Sequence, residues 1–127
     1  MTKVRVFYAG SPPDAWVQGI ACRGHAGGAR NGGADLICAS VSLCMEMLEE
    51  GLRHVADPDV VTSVLICEAR IPGEKAIHWE GHGAEVLAET VAATLRNIAA
   101  ANPQNVSVED VFNGNGEDKK DEKVAES

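Results

Sequence analysis

Apolar residues recur at steps of three and four between Ile37 and Val55. This spacing predicts a helix with one apolar face, which the rest of the fold has to cover. Asp35 stands directly before the pattern, where a short polar side chain can cap the first turn, and Asp57-Pro58 ends it. The apolar face consists of Ile37, Val41, Cys44, Leu48, Leu52 and Val55.

Five shorter segments alternate between apolar and polar residues or are rich in β-branched residues, which is typical of strands. A second helical pattern follows the fourth of these segments and ends before Asn102-Pro103. Turn residues close to the strands favour short antiparallel connections. The resulting order, β-β-α-β-β-α-β, predicts a single α+β domain with an antiparallel-rich sheet and two helices packed on one face. The strands are expected at 3–8, 16–22, 60–68, 75–80 and 106–112, and the second helix at 83–101.

The 127 residues are enough for one domain, which we expect over residues 1–112. Residues 113–127 hold five acids and three lysines with almost nothing to bury, so we expect a disordered charged tail. The formal charge of −8 argues against nucleic acid or an anionic membrane as a direct partner and favours a basic one. Because the chain shows neither a membrane-spanning run nor a signal-peptide core, we expect a cytoplasmic protein.

A glycine-rich segment joins the second strand to the first helix, from His25 to Asp35. Cys38 follows, and with Asp35 as the cap it lies in the first helical turn. Unpaired amides and the helix dipole stabilise a thiolate at that position. A loop that brings its two ends together would set His25 beside Cys38, the nucleophile-plus-base arrangement of acyl transfer. Glycines within residues 26–34 predict a mobile loop that closes over a bound peptide.

Simpler explanations apply to the same residues. Cysteines are often buried without any chemical role, so Cys38 could merely pack, as we expect for Cys44 and Cys67. Ser42, one helical turn after Cys38, could bond to the site or only to a backbone carbonyl. Asp35 as a helix cap would also orient the turn that holds Cys38, so its structural and supporting roles are compatible.

The cysteines, histidines and glycines of this region could instead hold a metal ion or a nucleotide. Zinc could be held by Cys22, His25 and Cys38 with His78 or His82, but these spacings match no familiar zinc pattern. The glycine-rich loop lacks the Gly-Lys-Ser/Thr ending that holds phosphate and magnesium. We therefore expect no metal and no cofactor.

The motif Gly24-His25-Ala26, the glycine-bearing loop and the run DLICASVS that begins at Asp35 resemble the signature of Prp, the bacterial ribosomal-processing cysteine protease family. The resemblance covers about residues 1–112. It implies that His25 is the general base and Cys38 the nucleophile. Gly24, Asp35 and Ser42 match further positions of the family motif.

The resemblance also implies a function. Members of that family remove an N-terminal extension from large-subunit ribosomal protein twenty-seven during ribosome assembly. We therefore expect a cysteine endopeptidase that acts on a basic ribosomal protein precursor and forms a homodimer. The alternative is a non-catalytic ribosome-assembly binding module whose cysteine is only structural.

Overall fold

The computed structural model describes residues 1–24, 32–55, 61–68 and 74–112. The predicted α+β class and the element order β-β-α-β-β-α-β are confirmed, and each strand boundary lies within one residue of its predicted position. The predicted disordered tail and His25 lie outside the described residues. In chain order the elements are β1 (Thr2–Ala9), β2 (Trp16–Arg23), α1 (Gly32–His54), β3 (Val61–Glu68), β4 (Glu74–Gly81), α2 (Glu85–Ala101) and β5 (Val106–Phe112).

The strands form one mixed sheet in the order β3-β4-β2-β1-β5. The pairs β1–β2, β2–β4 and β3–β4 are antiparallel, as the short connections predict, whereas β5 pairs with β1 in parallel. A parallel neighbour requires a crossover. Helix α2 provides it, since it follows β4 and carries the chain across β2 and β1 to the far edge of the sheet.

Both helices pack on the same face of the sheet, as predicted. Val41, Leu48 and Leu52 of the predicted α1 face are at most 3% exposed. They share one core with apolar residues of the sheet and of α2. The helices also approach each other closely, because a Cβ added at Gly51 would lie 2.7 Å from Cδ2 of Leu87. Neither helix of the described part of the chain is long and apolar enough to cross a membrane.

All five described strands begin or end at one end of the sheet, which we call the β2 end. Arg23, the last residue of β2, pairs with Lys3 of β1 on one side and with Glu74, the first residue of β4, on the other. Strand β5 also begins here, where Val106 pairs with Thr2. The chain leaves the sheet toward His25 from this end.

Candidate functional site

Gly24 directs the chain out of the sheet in a way that no other residue could without strain. Its φ is +87°, in the region that L side chains rarely adopt. A Cβ at this position would lie 2.5 Å from the carbonyl oxygen of Met1, at the start of β1. Both constraints explain why glycine precedes His25, which itself lies outside the described residues.

Helix α1 begins earlier than predicted. Its first residue is Gly32, so Asp35 is the fourth helical residue and the prediction that it is the N-cap was wrong. The helix also includes Gly32, Gly33 and Ala34, which the sequence placed in the mobile loop. Glycine has a low helix propensity, but propagation from a long packed helix adds one hydrogen bond per residue and can overcome it. Asp35 nevertheless lies in the first turn, where the helix dipole favours an acidic residue.

The same shift moves Cys38 to the seventh position of α1, in the second turn rather than the first. Its side chain is half-buried, and Ser42, one turn further on, is exposed. Helical side chains are tilted toward the helix N-terminus. The Cys38 side chain is therefore inclined toward the turn that contains Asp35.

Cys22 and Cys44 are chemically distinct from an activated thiol. Burial raises the pKa of both thiols above the ordinary value. At Cys22 the opposing effect of Lys75, its pairing partner on β4, is smaller than that of burial. The Cys44 side chain belongs to the core, as predicted. The side chain of Cys67 lies outside the described part of the structure.

Two described members of the alternative zinc set, Cys22 and His78, lie on opposite faces of the sheet, and His25 lies outside the described residues. The His78 ring packs against Phe7 at a centroid distance of 5.0 Å and lies over Gly19, on the sheet face away from the helices. Cys22 packs against the core on the helix-covered face. The His82 ring contacts the Trp16 ring in a tilted arrangement, with a centroid distance of 4.6 Å. Within residues 1–24, 32–55, 61–68 and 74–112, no group of three metal-binding side chains is arranged to hold an ion.

In chain order, a glycine-defined exit at the β2 end is therefore followed by a histidine and then by a helix that carries a half-buried thiol. This order of groups suits thiol-dependent acyl transfer. The sequence profile of the family described as cysteine protease Prp matches residues 1–107. The chain belongs to the Prp cysteine protease family. The match includes His25 and Cys38.

Solved structures share the fold of this Prp-family chain. SMU.848 from Streptococcus mutans superposes with a TM-score of 0.68 at 20% identity, over 88% of this chain and 95% of that one. The essential ribosomal processing protease Prp from S. aureus, in complex with a covalently linked product peptide, gives 0.69 at 17% identity, over 87% and 99%. The same protease with a substrate peptide gives 0.68 at 16%, over 87% and 99%. No curated protein matches the chain.

The sequence indicated the motif residues but not the contacts around them. The close approach of Gly24 to Met1 depends on the register of β1 against β2 and carries no local signal. A salt bridge between Arg5 and Glu74 at the same end of the sheet was also missed. The two partners lie 69 residues apart in the chain, so no local pattern indicates the contact.

Proposed function

We propose that this chain is a cysteine endopeptidase with Cys38 as the nucleophile and His25 as the general base. The observation that carries the proposal is the Prp family match, which spans both residues. The backbone of Gly24 supports it, because the residue directly before the proposed base has a restricted conformation. Burial raises the pKa of Cys22 and of Cys44, which makes both of these thiols poorer nucleophiles at neutral pH.

The mechanism follows from the pair. The Cys38 thiolate attacks the scissile carbonyl carbon, and backbone amides of the loop or of the start of α1 stabilise the oxyanion. The His25 imidazolium then donates its proton to the leaving amine as the C–N bond breaks. Water, deprotonated by His25, hydrolyses the thioester and regenerates Cys38. In this scheme Asp35 and Ser42 support the helical turns around Cys38, and no metal or cofactor takes part.

We propose a ribosomal protein precursor as the substrate. The structural relative from S. aureus is described as a ribosomal processing protease and was solved with a substrate peptide. By analogy, the bond cleaved would release the N-terminal extension of large-subunit ribosomal protein twenty-seven in the cytoplasm. The charge of −8 supports this choice, because an acidic enzyme attracts a basic ribosomal protein.

We also propose that the enzyme is a homodimer. Three apolar side chains on one stripe of α1 are exposed to solvent in the single chain: Leu36 at 69%, Leu43 at 55% and Met47 at 55%. Their spacing of seven and four residues puts them on one helix face. Sedimentation of the wild type and of Leu43→Glu tests this, and a wild-type monomer at micromolar concentration would contradict it.

The function is tested with the purified chain and the ribosomal precursor of its own organism. Mass spectrometry should show one cut that removes the extension, and Cys38→Ala should abolish it. If the protein binds the precursor without cutting it, and Cys38 alkylates no faster than an ordinary thiol, it is a binding module instead.

A further inference from the structure

A buried carboxylate lies at the β2 end of the sheet, on the face away from the helices. Glu74 is 0% exposed, and its two oxygens accept separate hydrogen bonds from Arg5. The Arg5 Nε–Glu74 Oε2 distance is 2.9 Å and the Nη2–Oε1 distance is 2.6 Å. This bidentate contact fixes the relative orientation of the guanidinium and the carboxylate as well as their separation.

The pair spans the strand that leads to the proposed base. Arg5 belongs to β1 and Glu74 to β4, and β2 runs between them. By register, Arg5 pairs with Ala21 and Glu74 pairs with Arg23, so the link crosses β2 diagonally over its last residues. Ala21 is 0% exposed and leaves room for the link. We refer to this arrangement as the Arg5–Glu74 clamp.

The arginine of the clamp is itself held in place. Its guanidinium carbon lies 4.9 Å from the centre of the Phe7 ring, a cation–π contact two residues along the same strand. Arg5 therefore has contacts on two sides, the carboxylate and the ring. Because Arg5 is held on both sides, a displacement of β1 is passed on through Arg5 to Glu74 and the start of β4.

Stability alone is a poor explanation for such a pair. Removing the Glu74 carboxylate from water costs much of what its attraction to Arg5 returns, and well-packed apolar residues often stabilise a fold equally well or better. What the clamp adds is a defined distance between β1 and β4, and hence a defined position for the end of β2. Gly24 and His25 follow that end directly.

We propose that Arg5 and Glu74 are positioning residues for catalysis, which hold the end of β2 so that His25 reaches Cys38 in the reactive geometry. This inference rests on the proposed roles of His25 and Cys38. Neither clamp residue is expected to touch the substrate. Their loss should therefore lower kcat and leave KM nearly unchanged.

The test is Arg5→Lys, which keeps the positive charge but cannot make the bidentate contact with Glu74. A misplacement of about 1 Å costs on the order of 100-fold in rate, so kcat for precursor cleavage should fall by about 10- to 100-fold. The rate at which iodoacetamide labels Cys38 is measured across pH by mass spectrometry. The pH profile of this rate should shift toward higher pH, because the thiolate loses its imidazolium partner. A general loss of stability would not shift this profile in molecules that remain folded.

The matched control is Asp110→Asn. It breaks another arginine–carboxylate pair, Arg96–Asp110 at 2.8 Å, which joins α2 to the later part of β5, away from the β2 end. This variant should keep the wild-type kcat and labelling profile. An equal loss of kcat in Asp110→Asn would overturn the specific role of the clamp.

Arg5→Lys could leave Glu74 poorly paired and unfold the sheet, so the double variant Arg5→Met/Glu74→Met removes both charges together. If it melts near the wild type and shows the upward shift of the Cys38 profile, the clamp acts by positioning. A wild-type profile and kcat in the folded double variant would overturn the inference and leave the proposed protease intact. If Cys38 of the wild type already labels as an ordinary thiol, the proposed pair with His25 fails instead.

Discussion

Replacing Gly24 with alanine tests how the turn before His25 is built. The backbone has a φ of +87°, and a Cβ would lie 2.5 Å from the Met1 carbonyl oxygen. A strained backbone of this kind costs about 1–3 kcal/mol. For a domain of this size, 1 kcal/mol corresponds to about 4 °C in melting temperature, so we expect a decrease of about 4–12 °C.

The same substitution should impair cleavage by more than the loss of stability explains. The backbone has to shift to relieve the contact with Met1, and His25 is the next residue. A displacement of about 1 Å at a catalytic group costs on the order of 100-fold in rate. The assay is precursor cleavage at a temperature well below the melting point of the variant, with melting followed by circular dichroism.

Gly10→Ala is the matched control. Gly10 has a similar φ of +81°, and its added Cβ would lie 2.7 Å from the Trp16 ring. It follows the other end of β1, about 25 Å from the β2 end for a strand of this length. This variant should lose stability but keep its cleavage rate. Unchanged melting of Gly24→Ala, or an equal loss of cleavage in Gly10→Ala, would refute the reasoning.

Three further predictions concern side chains. Cys38→Ser should reduce cleavage by several orders of magnitude with an unchanged melting temperature, and retained activity would refute its role as nucleophile. Iodoacetamide at neutral pH should label Cys38 well before Cys22 and Cys44, because burial raises the pKa of the latter two; equal rates by mass spectrometry would contradict this. A hydrogen bond with the His82 ring lowers the pKa of Glu85. The ionised Glu85 therefore stabilises the fold at pH values above the ordinary glutamate pKa of about 4.3, and this contribution disappears as the pH falls through the lowered pKa. Glu85→Gln should therefore melt lower than the wild type at pH 6 and converge with it in acid, and a constant difference across pH would exclude this linkage.

The helices and strands were predictable because their signals are local. The α1 face from Ile37 to Val55 repeats with the helical period, and burial of that face stabilises any fold that covers it. The start of α1 was not predictable in the same way. Asp35 is a favourable cap, but a favourable first-turn residue as well, and packing of the rest of the helix extended it back to Gly32.

In the candidate site, too, the sequence indicates some features and not others. Gly24, His25, Asp35, Cys38 and Ser42 stand out in the sequence because they match a motif, and the family profile spans all five positions. Their mutual geometry is not encoded in the motif. The position of Gly24 depends on where β2 ends relative to its neighbours in the sheet.

The sequence by itself determined which segments are helices and strands, because side-chain periodicity and turn residues act over a few neighbouring positions. Only the tertiary structure decided that β5 lies parallel to β1, that Gly24 abuts Met1 and that Arg5 reaches Glu74 across β2. These contacts join residues that are distant in the chain. They form only when the strand register and the crossover by α2 bring those residues together, and a local sequence pattern does not indicate such long-range contacts.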